Sequence, residues 1–164
     1  MKYKVGIITA SDKGAKGERV DESGKLIQKL MEEAGYEIID YCIIQDEEQE
    51  LVDKMISQSD VLKANLILTT GGTGFSMRDH TPEATLKVID RQTPGISEAI
   101  RAYSMQITKR AMLSRAVSGI RNTTLIINLP GSPKAVRESL EYILPELEHG
   151  IGILTGEAFE CGRK

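Results

Sequence analysis

The chain has 164 residues, 40% of them hydrophobic and 27% charged, with a formal net charge of -3. This length fits a single domain, 1–164, whose core needs no disulfide or metal staple, and the composition excludes disordered and fibrous classes. The acidic balance argues against non-specific nucleic-acid binding, and no uncharged apolar run approaches the ~18 residues that span a bilayer, so no membrane partner is expected.

Met1-Lys2-Tyr3-Lys4 and the apolar residues after it have the outline of a secretory leader. Asp12 and Lys13 interrupt it before a cleavage site, so a cytoplasmic protein is expected. Cys42 and Cys161 lie in no metal-ligand or redox pattern and read as free thiols. Val5-Gly6-Ile7-Ile8 reads as a buried strand ending at a polar loop over 9–12. Leu26, Ile27, Leu30, Met31 and Ala34 then recur at helical spacing, with Gly35 as the stop.

Residues 37–44 return to strand character, and Leu51, Val52, Met55, Ile56 and Leu62 stripe a second helix. Leu66-Ile67-Leu68 makes the next buried strand. It runs into a glycine loop, after which Thr81 as cap and Pro82 as first residue restart a helix. Residues 94–106 read as helix and 124–129 as a fourth strand. Ser132 and Pro133 then open a last helix striped by Ala135, Val136, Leu140, Ile143, Leu144 and Leu147. Residues 155–164 form a tail without pattern. Alternating strands and helices predict an α/β fold, a three-layer α/β/α sandwich with a mostly parallel central sheet. Ligands of such sheets bind beyond the carboxyl ends of the strands, where the loops at 9–12, 44–46, 69–79 and 130–133 should gather.

Thr70-Gly71-Gly72-Thr73-Gly74 packs three glycines into four positions after a buried strand, which frees backbone N–H groups to approach an anion. The loop is neither a Walker A motif, lacking Gly-Lys-Ser/Thr, nor a dinucleotide fingerprint, because its helix starts late. Asp79 stands two residues ahead of the Thr81 cap and has no evident structural task. Asp46-Glu47-Glu48-Gln49 fits a capping box. Asp46 is also placed on the same sheet edge as Asp79, where two carboxylates can share a magnesium ion over a nucleotide phosphate. Residues 99–137 contain no acid but carry Arg101, Lys109, Arg110, Arg115, Arg121, Lys134 and Arg137, a local basic segment in an acidic protein that suits a phosphorylated substrate, a solvated face or subunit contact being the alternative. Within it Ser114-Arg115 sets a hydroxyl beside a guanidinium. His80 and His149 lack metal-ligand spacing, and no Gly-x-Ser-x-Gly elbow occurs.

Three segments together resemble the molybdopterin-binding family of molybdenum cofactor biosynthesis. They are the Thr-Thr-Gly-Gly-Thr-Gly loop continuing through Arg78-Asp79-His80-Thr81-Pro82-Glu83-Ala84-Thr85, then Met112-Leu113-Ser114-Arg115, then the run from Leu125 to Pro130-Gly131-Ser132-Pro133. The likeness extends from Val5 to about Gly150 and is strongest to members that adenylylate the pterin. It implies transfer of AMP from ATP, as co-substrate with Mg2+, to the terminal phosphate of molybdopterin, releasing pyrophosphate. The family's two functional aspartates match Asp46 and Asp79, as catalytic and metal-holding residues. Ser11, Asp12, Gly71, Gly72, Thr73 and Gly74 match the nucleotide side, and Ser114, Arg115, Pro130, Gly131 and Ser132 the pterin side. Ser132 stands where asparagine or glutamine is common, and His80 where valine is frequent. The resemblance also implies a homotrimer and hand-over of product to a molybdate-inserting enzyme. A non-catalytic molybdopterin-binding paralogue and a nucleotide pyrophosphatase are the alternatives.

Overall fold

The computed structural model describes residues 2–158. The chain alternates β1 (Lys4–Ala10), a one-turn α1 (Asp12–Ala15), α2 (Glu22–Glu33), β2 (Glu37–Ile44), α3 (Glu48–Ile56), β3 (Leu66–Thr70) and α4 (Thr81–Val88). It continues through β4 (Arg91–Gln92), α5 (Pro94–Met105), β5 (Ser118–Arg121), β6 (Thr124–Leu129) and α6 (Pro133–Thr155). The six strands lie in the order β2-β1-β3-β6-β5-β4; the first four are parallel, and β5 and β4 continue antiparallel.

The apolar runs of β1, β3 and β6 are buried on both faces, as central strands of a parallel sheet require. Their two-residue period splits the core. Val5, Ile7, Leu66, Leu68, Leu125 and Ile127 pack against α2, α5 and α6, whereas Ile8, Ile67 and Ile126 pack against α3 and α4. Three layers follow, and the carboxyl ends of β1, β2, β3 and β6 open on one edge.

The structure departs from expectation in four places. Strands β4 and β5 escape sequence reading because two residues and Ser-Gly-Ile-Arg carry no apolar alternation. The helix striped by Leu51, Val52 and Met55, α3, ends at Ile56 and widens into a π turn over Ser57–Val61, which leaves Leu62 exposed instead of in the stripe. The turn carries Gln58 and Ser59 inward, to Asp40 Oδ2 at 3.0 Å and Thr124 Oγ1 at 2.9 Å. The last helix continues past Leu147 and through Pro145 to Thr155. The one-turn helix α1 has no buried residue, and so no apolar stripe marks it in the sequence. Cys42 is a free thiol that burial pushes up to about 11. Cys161 and the rest of the tail beyond Ala158 lie outside the described residues. No helix among those residues is long and apolar enough to cross a membrane.

Candidate active site

The four loops named from sequence do meet. Thr9 near the end of β1 and Ser11 after it, Asp46 after β2, Gly71, Gly72 and Asp79 after β3, and Gly131 and Ser132 after β6 line one cavity of about 550 Å³. Parallel strands ending at one level bring these residues together although successive loops lie 25 or more positions apart in the chain.

The glycine loop is shaped by backbone that only glycine tolerates. Gly71 and Gly72 hold φ of +89° and +69°, and a Cβ on Gly71 would lie 2.4 Å from the Ala10 carbonyl oxygen. The backbone N–H groups of Gly72, Thr73 and Gly74 have no acceptor among the described residues and remain available to an anion. Thr81, read from sequence as the helix cap, does another job. His80 is the N-cap residue and Thr81 lies in the first turn, where its hydroxyl donates to Gly71 O at 2.9 Å and its N–H to Gly72 O at 3.1 Å.

Asp79 has a local task after all: its Oδ2 accepts the Ser76 N–H at 3.0 Å, which folds the tip of the loop. The capping box at Asp46 does not form. Glu47 is the N-cap residue without a side-chain cap bond, and the Gln49 amide donates to Asp53. Asp46 Oδ2 instead accepts the Asp12 N–H at 3.0 Å. Burial raises the Asp46 carboxyl above its ordinary value; the Asp12 N–H opposes this, and the charges of Asp12 and Asp79 add to it. Asp12 is lowered, chiefly by its hydrogen bonds from Arg78.

A carboxylate kept charged against burial and two like charges is stabilised by a cation. Among the described residues no group of three or more His, Cys, Asp or Glu is poised to hold a metal. Magnesium, however, is commonly held by one or two carboxylates together with water and substrate phosphates, and the pair Asp46 and Asp79 on one cavity fits that donor set.

Asp12 and Ser11 serve the frame. Asp12 does not line the large cavity, and Ser11 lines it while its Oγ caps α1 by accepting the Gly14 N–H at 3.0 Å. Thr73, Gly74, Ser114, Pro130 and Gly131 line a second cavity of about 290 Å³, while Ser132 lines the first and caps α6 at Ala135 N–H. Arg115 lines neither. Its guanidinium donates to Gly74 O at 2.7 Å, to Asp79 O at 2.8 Å and to Glu83, so it braces the glycine loop from behind. Burial pushes the Glu83 carboxyl up, but the Arg115 hydrogen bond and charge, together with the backbone N–H of Glu83 itself, leave the net value lowered.

Much of the basic segment is likewise engaged within the protein. Arg101 donates to the Ser114 and Ala116 carbonyls, Arg121 pairs with Asp60, and Arg137 pairs with Glu141. Sequence reading missed Arg19, Asp21 and Ser23, which line the large cavity from the start of α2. Asp21 caps that helix at Gly24 N–H and accepts from Thr9 Oγ1 at 2.6 Å and from Tyr41 O–H. The detectable signal was an acid shortly before the first apolar residue of a helix.

Fold and site together define a mostly parallel α/β domain with a glycine-rich loop and two carboxylates at the carboxyl edge of its sheet. Residues 6–149 match the family model described as "Probable molybdopterin binding domain", and the chain belongs to this family. It is 40% identical over 162 residues to a molybdopterin adenylyltransferase of Helicobacter pylori strain J99, covering 98% of this chain and 92% of that protein. It is 43% identical to gephyrin of Dictyostelium discoideum over 93% of this chain, which spans only 23% of gephyrin's length. The solved structure of the molybdopterin biosynthesis enzyme MoaB from Thermus thermophilus superposes with a TM-score of 0.88 at 44% identity, covering 96% of this chain and 99% of that one.

Proposed function

We propose that this chain is an adenylyltransferase of molybdenum cofactor biosynthesis, which moves AMP from ATP to the terminal phosphate of molybdopterin and releases pyrophosphate. The observation that supports this most is that Asp46 and Asp79 line the same cavity as Gly71 and Gly72. A phosphate oxygen of the pterin attacks the α-phosphorus, and the bond from that phosphorus to the bridging oxygen breaks. Such in-line displacement needs positioning and charge stabilisation but no covalent nucleophile. Magnesium held by Asp46 and Asp79 would supply charge neutralisation on the ATP phosphates. The N–H groups of Gly72, Thr73 and Gly74 donate to phosphate oxygens, and Arg115 keeps that loop in place. Ser114, Pro130 and Gly131 line the smaller cavity, which takes the pterin; Ser132 borders the nucleotide beside Gly131.

Purified protein incubated with ATP, magnesium and molybdopterin should yield adenylylated molybdopterin by mass spectrometry. Recovery of unchanged bound pterin would make it a binding paralogue, and bare ATP hydrolysis a pyrophosphatase. We further propose a cytoplasmic homotrimer, measurable by sedimentation, that hands its product to a molybdate-inserting enzyme.

A further inference from the structure

The smaller cavity holds one carboxylate. Its walls are apolar at Ile100, Leu113 and Ala135, it is basic at Arg101 and Arg110, and Glu138 of α6 is the only acid lining it among the described residues. Glu138 follows directly on the acid-free segment 99–137. Its neighbour Arg137 is paired with Glu141, but Glu138 has no ion-pair or side-chain hydrogen-bond partner among the described residues, although it is partly buried. A pocket for phosphate alone gains nothing from a carboxylate, because like charges repel. The ligand that uses it must bring hydrogen-bond donors on a planar edge between apolar walls.

A 2-amino-4-oxopterin has such an edge. Its ring N3–H and 2-amino N–H are adjacent and parallel, so one carboxylate accepts both, in the fork geometry seen between guanidinium and carboxylate. We propose that Glu138 is the specificity-determining residue for the pterin ring, accepting these two donors while Ile100 and Leu113 flank it. This rests on the pterin reading of the smaller cavity given above.

The test compares pterin with lumazine, which carries an oxygen in place of the 2-amino group and so presents a second acceptor to the carboxylate. Binding to the full chain is followed by ligand fluorescence for wild type, Glu138→Gln and Glu138→Ala, with thermal melting to verify folding. Wild type should prefer pterin by about 10–100-fold, the worth of a charge-assisted pair of hydrogen bonds, and both variants should lose the preference. In the AMP-transfer assay Glu138→Gln should raise KM for molybdopterin by a similar factor and leave KM for ATP unchanged. Folded variants that keep the preference for pterin, or an unaltered KM for molybdopterin, would overturn the proposal. If wild type discriminates through Glu138 yet forms no adenylylated product, the transferase reading fails while the role of Glu138 stands.

Discussion

Asp12 and Asp46 each donate a backbone N–H to the other's carboxylate, both at 3.0 Å. This reciprocal pair ties the end of β1 to the end of β2 and fixes the Asp46 carboxylate toward the large cavity. Arg78 completes the arrangement from the glycine loop, with Nε and Nη2 on Asp12 at 3.1 and 3.0 Å and Nη1 on Glu47 at 2.8 Å. Three loops are thereby locked around one half-buried acid.

Replacing Arg78 should move the pH dependence of AMP transfer. The guanidinium lowers both Asp12 and Asp46, so in Arg78→Ala both carboxyls rise and protonate at higher pH. A protonated Asp46 is a poor metal ligand. The acidic limb of kcat/KM for ATP, recorded over about pH 5 to 8, should shift upward. An unmoved limb would show that Asp46 does not govern it.

Asp79→Asn should reduce AMP transfer by at least about 100-fold, the order seen when one charge-stabilising group is lost from a preorganised site. Pterin binding, in the neighbouring cavity, should persist. Near-normal formation of adenylylated molybdopterin by this variant would sink the assignment of the site.

Gly71→Ala combines two penalties. A left-handed φ costs about 1–2 kcal/mol for an L residue, and the added Cβ would meet the Ala10 carbonyl oxygen, a backbone atom, at 2.4 Å. Gly35, with φ of +90° and nothing within 4 Å, carries the strain without the clash. In urea titrations Gly71→Ala should therefore be clearly the more damaging of the two, and ATP binding should fall with it.

Asn128 is fully buried in β6. Its Nδ2 donates to Thr69 Oγ1 at 3.0 Å and Thr85 Oγ1 at 2.9 Å, and its Oδ1 accepts the Val117 N–H at 3.1 Å. Asn128→Leu strands these groups without partners and should cost about 2–4 kcal/mol on chemical denaturation. A loss below about 0.5 kcal/mol would mean that the polar chain is not a structural element.

The sequence by itself determined the alternation of strands and helices, the three layers and the edge on which the loops gather. Runs such as Leu66-Ile67-Leu68 must be covered on both faces, and 3.6-residue stripes such as Leu26 to Met31 must face them. It also singled out Asp46, Asp79 and the glycine loop, because all three fall just beyond the carboxyl ends of predicted parallel strands. It misassigned what these neighbours hold: Thr81 closes the glycine loop instead of capping its helix, and Asp46 holds β1 instead of opening α3. Local patterning ranks only partners a few residues away, whereas here the competing partners, Gly71 and Asp12, are 10 and 34 positions distant. The internal partners of Arg101, Arg115, Arg121 and Arg137, the reciprocal bonds of Asp12 and Asp46, and the isolated carboxylate of Glu138 were decided by the tertiary structure alone, since each depends on which side chains the sheet brings within about 3 Å of one another.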